Sequence, residues 1–342
     1  MNHSLVEHLH LNIYGITVHI RSTSKEVITL LSKDFSFFKE NNETEQVHYT
    51  FCVFKEKVPW EKLYNKKVSK HSVNSLSTQD GTLRYNDYYG KALTIYNYTN
   101  DTCDLYANDI NILHELSYLI ILSRTGKKLD TKGMHKIHAF AVSRNDTTII
   151  GMMPSKGGKS TLFLELLKFK DIEILSDDTP LVSKNGTVHP FPLRVGIEEG
   201  HPLPDGDQEK TYSIQRTQYG KKRLLPMNFF SNEISSACGK VILLDCKRHY
   251  SKDTELFKIP RYQMITPLIK NMVIGVGLPI IIEYFLELTF KDFIRLTGIS
   301  LKRLRAMIRL LFRSQCYRLY LGSSYEANAK KVCELFEKEY DK

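Results

Sequence analysis

One stretch of the chain, IIGMMPSKGGKSTLFLELLKF at residues 149–169, restricts the possible folds more than any other segment. It joins an apolar strand-like run, a glycine-containing loop and an apolar helix-like run in direct succession. A loop of this kind between a buried strand and a helix turns backbone N–H groups toward one point, which is how phosphate is bound at a helix start. The segment therefore predicts an α/β core with a phosphate-binding loop.

The loop matches the second half of the pattern G-x-x-x-x-G-K-[ST], with Gly158, Lys159 and Ser160 in succession. In that pattern the lysine reaches the β- and γ-phosphates of a nucleotide and the hydroxyl binds Mg²⁺. Met153 stands where the first glycine is expected, so the pattern fails at one position. The alternative is a Gly-Gly turn followed by a solvated lysine. We predict that a nucleotide contacts the whole loop and the helix start, namely Pro154, Ser155, Lys156, Gly157, Gly158, Lys159, Ser160 and Thr161.

Two adjacent carboxylates, Asp177 and Asp178, follow the strand-like run IEILS, 18 and 19 residues after Lys159. Paired carboxylates at a strand end hold Mg²⁺ and accept the proton of an attacking hydroxyl in phosphoryl transfer. Because Asp and Ser also favour turns, the alternative is that the two acids only form a turn. Their spacing from the glycine loop favours a role in phosphate chemistry.

The composition narrows the class of protein. The chain has 342 residues, of which 42% are hydrophobic and 25% charged, as is typical of a soluble globular protein. Its formal net charge of +10 favours an anionic partner such as a nucleotide, a nucleic acid or an acidic peptide. The six cysteines form no CxxC pair, and the most apolar run, residues 272–282, is too short to span a bilayer. We expect a cytoplasmic protein with reduced thiols and no membrane contact.

Periodicity divides the chain into three parts. Residues 1–108 alternate in short strand-like runs around a helix-like segment, which predicts an N-terminal antiparallel α+β region. Residues 109–250 hold the glycine loop, the aspartate pair and the further strand KVILLD, and they are predicted to form the phosphate-handling α/β core. Residues 251–342 are predicted to be mainly helical, and residues 200–235 to form a long polar loop.

Taken together, these residues resemble the catalytic domain of HPr kinase/phosphorylase, a bacterial protein-serine kinase whose phosphate-loop fold is shared with phosphoenolpyruvate carboxykinase. His138 stands upstream of the loop lysine at about the spacing of the family's histidine, and Asp177-Asp178 resembles its aspartate pair. Arg194, in FPLRVGI, resembles the arginine of the family's Arg-x-Gly element. The resemblance covers residues 130–200.

A closer resemblance is to HPr-kinase-like proteins found with lasso-peptide biosynthesis, which phosphorylate the C-terminal serine of a precursor peptide. The phrases ILSDDTPLV, VHPFPLRVGI and NMVIGVGLP carry it. The resemblance implies an α/β fold with an HPr-kinase/PEP-carboxykinase-like P-loop core, ATP and Mg²⁺ as cofactors, and a serine hydroxyl of a ribosomally made peptide as acceptor. The partners are then a precursor peptide and a nucleotide; nucleic acid is not expected, and a homo-oligomer is left open because HPr kinases are hexamers.

The resemblance also implies roles for the site residues. Lys159 holds the transferring phosphate, and Ser160 holds the metal. One aspartate binds metal and the other is the general base; we prefer Asp177 as metal ligand and Asp178 as base. His138 orients the base or the acceptor, and the arginine of the Arg-x-Gly element completes the catalytic set.

Two departures from the family pattern bear on the reaction. The first is Met153 in place of a loop glycine. The second is Pro192, which stands where HPr kinases have a metal-binding glutamate two residues before the arginine; Glu198 or Glu199 is a candidate substitute. Both departures are compatible with the kinase reaction and argue against the reverse phosphorylase reaction.

Basic residues outside these motifs offer further candidates. Lys222 in the polar segment and Lys270 before the NMVIGVGLP phrase are candidate cations that close over the phosphates, although a surface lysine is commonly only solvated. A stripe of four cations repeats at helical spacing near the C-terminus: Lys302, Arg305, Arg309 and Arg313. Such a stripe is either a solvated helix face or a surface for an acidic peptide or nucleic acid. Gly298 in the same segment gives it a loose helix–turn–helix pattern.

Three functions fit these observations. The first is phosphorylation of a serine on a ribosomally made peptide, because phosphoryl transfer needs positioning, a metal and a base. The second is a kinase for another protein or for a small-molecule hydroxyl, which would use the same residues. The third is a non-enzymatic nucleotide-binding regulator with a basic C-terminal helix.

Overall fold

The computed structural model of the protein describes residues 5–41, 46–72, 74–154, 157–198, 208–216, 220–236, 239–249, 251–274 and 290–340, and they form a mixed α/β fold. The chain separates into two compact units, residues 1–125 with 211–227 and residues 126–210 with 228–342. The three-part division at residues 108 and 250 stays a prediction. Among the described residues, no helix combines the length and the apolar character that crossing a membrane requires.

Strands and helices occur in both units. The strands are β1 (Glu7–Asn12), β2 (Thr17–Ser22), β3 (Lys39–Glu40), β4 (Tyr49–Lys55), β5 (Lys70–His71), β6 (Leu76–Asp80), β7 (Leu83–Asp87), β8 (Leu93–Asn97), β9 (Thr102–Ala107), β10 (Met134–Lys136), β11 (Phe140–Arg144), β12 (Thr147–Met152), β13 (Glu173–Ser176), β14 (Leu181–Ser183), β15 (Val188–His189), β16 (Val195–Glu198), β17 (Tyr212–Arg216), β18 (Gly220–Leu225), β19 (Lys240–Arg248), β20 (Glu255–Lys258) and β21 (Ser314–Leu321). The helices are α1 (Lys25–Asp34), α2 (Ile110–Lys132), α3 (Lys159–Leu166), α4 (Tyr262–Leu268), α5 (Phe290–Arg313) and α6 (Tyr325–Tyr340), and a π-helical turn (Ile269–Ile274) continues α4.

The first unit is built on a nine-stranded sheet in the order β3-β1-β2-β4-β9-β8-β7-β6-β5. The alternation of HLHLN places Leu9 and Leu11 in the core and the intervening polar side chains on the other face. The predicted antiparallel arrangement is wrong for two strand pairs, because β4 runs parallel to both β2 and β9. The reason is that the segment with α1 and the short β3 lies between β2 and β4, and the strands β5–β8 lie between β4 and β9, and each connection returns the chain in the same direction.

The predicted long polar loop at residues 200–235 is wrong over part of its length. Strands β17 and β18 form an antiparallel hairpin there, in which Tyr212 pairs with Leu224. The side chains of Ile214 and Leu224 are buried. Burial of these two apolar residues stabilises the strands. The strands were not predicted because most residues around these two are polar.

The second unit contains a six-stranded sheet in the order β13-β11-β12-β19-β21-β20. Strand β11 is antiparallel to both β12 and β13, while β12, β19 and β21 are mutually parallel. Strands β12, β13, β19 and β21 therefore run in one direction and end at one edge of the sheet. That edge is where ligands bind in α/β sheets.

Helices α4 and α5 pack on this sheet through apolar side chains. Ile150 and Leu243 of the sheet lie in one buried cluster with Met264 of α4 and Leu310 of α5. Each fully buried side chain of this size stabilises the fold by roughly 1.5–3 kcal/mol relative to an exposed one. This packing fixes the position of the edge at which the parallel strands end.

The C-terminal region is less helical than predicted. Helices α5 and α6 are present, but β20 and β21 also belong to it and complete the central sheet. In β21 the sequence SQCYRLYL buries Cys316, Leu319 and Leu321. Its aromatic residues and alternating burial are typical of a strand. The prediction missed it because the segments on both sides have helical spacing.

Candidate functional site

Three segments that the sequence singles out meet at one edge of the second unit's sheet. The glycine loop follows β12, and Asp177 and Asp178 follow β13, which runs in the same direction. His138 precedes β11, which runs the opposite way and therefore begins at that edge. The strand order thus brings together residues that are up to 40 positions apart in the chain, from His138 to Asp178.

The glycine loop opens α3 through a left-handed residue. Gly158 has φ +101° and precedes the helix, whose first turn has no side-chain cap and no acidic residue. A side chain at this φ would be strained, so glycine is required. The N–H groups of the first helical turn have no partner within the helix and carry its positive dipole end. The helix start is therefore suited to an anion.

Met153 occupies the space beneath the loop. Its side chain is 2% exposed, and a Cβ placed on Gly157 would lie 2.6 Å from Met153 Cγ. The same Cβ would lie 2.7 Å from the carbonyl oxygen of Pro154, which accepts a 2.9 Å hydrogen bond from the N–H of Gly157. The tight turn thus needs glycine at 157, while the methionine packs under it. Two predicted nucleotide contacts, Ser155 and Lys156, lie outside the described residues.

Lys159, Asp178 and His138 form one connected group. The ammonium of Lys159 donates a hydrogen bond to Oδ1 of Asp178, and His138 Nε2 lies 3.3 Å from the same oxygen. The side chains of Lys159 and His138 are only 11% and 14% exposed, whereas that of Asp178 is 55% exposed. The carboxylate is therefore held from the protein side and remains open to a reacting group from solvent.

The backbone fixes both ends of this group. The N–H of His138 donates to the carbonyl of Asn271 at 2.9 Å, and the N–H of Ala139 donates to the carbonyl of Asp178 at 3.0 Å. These bonds hold the histidine and the aspartate beside each other, independently of their side chains.

The charge state of Asp178 follows from these contacts. Desolvation raises the pKa of this carboxyl, but the hydrogen bond from His138 and the positive charge of Lys159 outweigh it and hold the pKa well below its usual range. The carboxylate is therefore ionised at neutral pH. Loss of its contact with Lys159 would raise its pKa and make it a stronger base toward a hydroxyl.

Ser160 and Asp177 form a second pair. The Ser160 hydroxyl donates to Asp177 Oδ2 at 3.1 Å, and Asp177 is 7% exposed. The turn alternative is present as well, because the hydroxyl of Ser176 accepts a 3.0 Å hydrogen bond from the N–H of Thr179. The turn and the contacts are compatible, since the turn directs one aspartate to Ser160 and the other to the loop lysine.

The other predicted site residues are distributed over several elements. Thr161 lies in the first turn of α3, Arg194 is half-buried directly before β16, and Lys270 is exposed in the π-helical turn. Lys222 lies on β18 of the first unit and so outside the unit that contains the glycine loop. The proposed substitute metal ligand Glu198 is exposed at the end of β16, and Glu199 lies outside the described residues.

Sequence reasoning missed Arg248. Its Nε donates to the carbonyl of Gly157 at 3.0 Å, and its guanidinium lies 3.2 Å from the position that a Cβ on Gly158 would take. The parallel pairing of β12 with β19, with Met152 opposite Asp245, carries the end of β19 past the glycine loop. The signal that could have indicated Arg248 is that the strand continues three residues beyond the KVILLD run.

A cavity of about 540 Å³ opens beside the loop at the ends of the parallel strands. Its lining combines the helix start with cations and an aromatic ring: Gly158, Leu162, Arg248, His249, Lys252 and Tyr325. Small-molecule sites commonly have volumes of roughly 300–1,000 Å³. The cavity is therefore large enough for a ligand whose phosphates face the loop.

A buried network of charged side chains is bonded to the chain segment that holds His138. Arg303 makes two hydrogen bonds to Asp130, at 3.0 and 2.7 Å, and His135 Nδ1 lies 2.8 Å from the same carboxylate. Arg303 also donates to the carbonyl of Met272 at 3.0 Å, next to the Asn271 carbonyl that holds His138. Desolvation raises the pKa of Asp130, but the hydrogen bond from His135 and the charge of Arg303 bring it below its usual range.

The basic stripe of α5 lies elsewhere in the second unit. A pocket of about 320 Å³ is lined by cations of this stripe and of two other segments, namely Lys132, Lys184, Lys302, Arg305 and Arg309. Arg309 donates a 2.6 Å hydrogen bond to the carbonyl of Lys184. The helix–turn–helix pattern is wrong, because Gly298 lies inside the continuous helix α5.

Comparison with known proteins adds no family to this geometry. No family model matches the chain, and no curated protein matches its sequence at a significant level.

Proposed function

We propose that the protein is a magnesium-assisted, ATP-dependent kinase that phosphorylates a serine hydroxyl on a ribosomally made peptide. In this proposal the second unit is an HPr-kinase/PEP-carboxykinase-like P-loop core. The observation that carries it is the contact of both Lys159 and His138 with one carboxylate oxygen of Asp178, beside a glycine loop that opens a helix. This arrangement supports the proposal, because phosphoryl transfer requires a phosphate-binding group beside a base.

The residues present fit a nucleoside triphosphate. The uncapped first turn of α3, the ammonium of Lys159 and the guanidinium of Arg248 surround the loop with positive charge. Fixed donors of this kind stabilise the charge that develops on a transferring phosphoryl group. The adjoining cavity offers space for the nucleoside. Lys270 and Lys222 stay candidate clamps, and Arg194 stays a candidate catalytic residue.

The residues also fit Mg²⁺. The Ser160 hydroxyl and the Asp177 carboxylate are hard oxygen donors 3.1 Å apart, and magnesium is commonly held by one or two such groups together with phosphate oxygens. When bound, the ion would neutralise charge on the β- and γ-phosphates. With Pro192 in place of a glutamate, these two residues are the proposed protein ligands.

The proposed reaction uses Asp178 as the base. The serine oxygen of the peptide forms a bond to the γ-phosphorus of ATP, the bond from that phosphorus to the bridging oxygen breaks, and ADP leaves. The hydroxyl proton passes to the exposed carboxylate of Asp178, which His138 orients through its 3.3 Å contact. Lys159, released from the carboxylate by the competing phosphates, stabilises their charge.

The test is the intact mass of a lasso-type precursor peptide after incubation with the full-length protein, ATP and Mg²⁺. We expect a gain of one phosphate that disappears when the C-terminal serine of the peptide is replaced by alanine. A gain on another protein or on a small hydroxyl compound, and not on the peptide, would assign the second function and contradict the proposed acceptor. ATP binding without transfer to any acceptor would support the regulator instead.

A further inference from the structure

Three histidines converge on one face of the hairpin formed by β1 and β2 in the first unit. His8 and His10 are two positions apart on β1, so their side chains point to the same face. His19 on β2 stands directly opposite His10 in the antiparallel register. Directly paired residues of an antiparallel ladder bring their side chains together, which places all three imidazoles in one group.

The distances between the rings are those of a metal site. One ring nitrogen from each of the three histidines lies within 4.8 Å of the others. Nδ1 of His8 and Nε2 of His19 are 2.9 Å apart. With zinc–nitrogen bonds of about 2.0–2.1 Å, tetrahedral geometry separates two ligand nitrogens by roughly 3.3 Å. The separation of His8 Nδ1 from His19 Nε2 is within about 0.5 Å of this value.

The sheet holds the histidines in place and leaves them accessible. Leu9 and Leu11 are buried on the opposite face of β1, so the backbone between the histidines is anchored in the core. The histidine rings themselves are exposed or half-buried. Ring centroids of His10 and His19 are 4.2 Å apart with an interplanar angle of 21°. Because imidazole lone pairs lie in the ring plane, coordination needs the rings to rotate about χ2, which their accessibility permits.

A carboxylate lies on the same face. Glu40 on β3 pairs with His10 on the side opposite to His19, and its Oε1 accepts a 2.7 Å hydrogen bond from Asn12. Metal-bound histidines usually donate their second N–H to a carboxylate, a carbonyl or water. The neighbourhood thus also provides an acceptor that favours imidazole ligation.

We propose that His8, His10 and His19 form a binding site for a divalent transition metal of the zinc class, with water or a fourth ligand completing the coordination. Imidazole nitrogens select zinc, cobalt, nickel or copper over magnesium and calcium, which prefer oxygen. The site belongs to the first unit, whereas the glycine loop belongs to the second, and it does not depend on the proposed kinase function.

The test is titration of the metal-free, full-length protein with Zn²⁺ by calorimetry and with Co²⁺ by visible spectroscopy. We expect one ion per chain and the intense visible bands of four- or five-coordinate Co²⁺. His10→Ala and His19→Ala should each weaken Zn²⁺ binding by at least about tenfold, because the ligands act together. Zn²⁺ should also raise the melting temperature of the unmodified protein more than that of these variants.

A control variant separates this site from other histidines. His71→Ala removes an exposed histidine of the same sheet. This variant should keep the affinity of the unmodified protein. His10→Gln retains a polar side chain and serves if His10→Ala folds poorly. Absence of Zn²⁺ binding, or binding that survives His10→Ala, His10→Gln and His19→Ala alike, would overturn the proposal.

Discussion

The ammonium of Lys159 at the start of α3 is paired with the carboxylate of Asp178 at the end of β13, although 19 residues separate them in the chain. The pair joins the element expected to hold phosphate to the group expected to accept a proton. A nucleotide bound at the loop would compete for the lysine and leave the carboxylate to the acceptor. In the proposed mechanism, Lys159 would thus link nucleotide binding to the availability of the base.

The first prediction concerns Asp178→Asn. If this carboxylate is the base, its loss should reduce turnover by about 10²–10⁴-fold while ATP binding is retained, because the amide cannot accept the hydroxyl proton. Peptide phosphorylation and the ATP-induced shift in melting temperature measure the two effects separately. The matched control is Asp171→Asn, which changes a carboxylate that precedes β13, paired with Arg144, and should leave both unchanged. Retained turnover in Asp178→Asn would contradict the assignment.

The second prediction concerns the metal. Asp177→Asn and Ser160→Ala should each weaken the dependence of ATP binding on Mg²⁺, since they remove the two oxygen donors that face each other at 3.1 Å. The measurement is ATP affinity by calorimetry over a series of Mg²⁺ concentrations. We expect that more Mg²⁺ is needed for half-maximal affinity. An unchanged Mg²⁺ requirement in both variants would place the metal elsewhere.

The third prediction concerns the departure from the loop pattern. Met153→Gly restores the pattern but should lower the free energy of unfolding by about 2–5 kcal/mol, because it empties the space beneath Gly157. Met153→Leu conserves volume and should cost less than about 1.5 kcal/mol. Urea unfolding measures the stability of both variants, and ATP titration measures their nucleotide affinity. Tighter ATP binding by Met153→Gly with no loss of stability would show that the methionine does not support the loop.

The fourth prediction concerns the ion network behind His138. Arg303→Met leaves the buried Asp130 carboxylate without its guanidinium partner and should destabilise the protein by about 3–5 kcal/mol. The exposed pair Lys330–Glu326 is the control, and Lys330→Ala should change stability by no more than about 0.5 kcal/mol. Denaturant midpoints compare the two. If both variants lost the same amount of stability, the buried charge of Arg303 would contribute no more to stability than the exposed charge of Lys330.

The fifth prediction concerns a lysine near the site. Burial lowers the pKa of Lys136, which lies 4.8 Å from the centroid of the Phe191 ring, to about 8. The unfolded chain binds this proton up to about pH 10.4, so the protonated lysine costs stability below the folded pKa, and the cost is relieved as pH rises above it.

Lys136→Met should therefore be more stable than the unmodified protein near neutral pH, by up to about 3 kcal/mol, and this advantage should shrink from about pH 8 to about pH 10. Urea unfolding at several pH values measures the difference. An advantage that grows with pH would contradict the direction of the pKa shift.

The parts of the fold that depend on local pattern could be predicted from the sequence. The hairpin of β11 and β12, the helix after the glycine loop and the strand before Asp177 are each confirmed, because periodicity and turn residues act over a few positions. The sequence predicted that the loop and the aspartate pair act in one site from their spacing alone, and the contacts between them came from the structure.

The remaining features depend on pairing between distant strands. Arg248 reaches the loop because β19 lies beside β12, and no local pattern specifies that neighbour. The strand β21 was not predicted either, because it pairs with strands distant in the sequence and lies between two helices. The burial of Arg303 was missed as well, although it stands four residues after Ile299 and seven before Leu310 on the apolar face of α5, because its partner Asp130 is distant in the sequence.

The measurement that tests the central claim most directly is titration of the protein with ATP and Mg²⁺ by calorimetry, compared with Lys159→Ala. The control is Lys168→Ala, a neighbouring exposed lysine that pairs with Glu165. We predict that the unmodified protein and Lys168→Ala bind ATP alike, and that Lys159→Ala binds at least about tenfold more weakly, a loss of about 1.4 kcal/mol. Absence of ATP binding by the unmodified protein, or equal binding by Lys159→Ala, would contradict the assignment of the glycine loop as a nucleotide site.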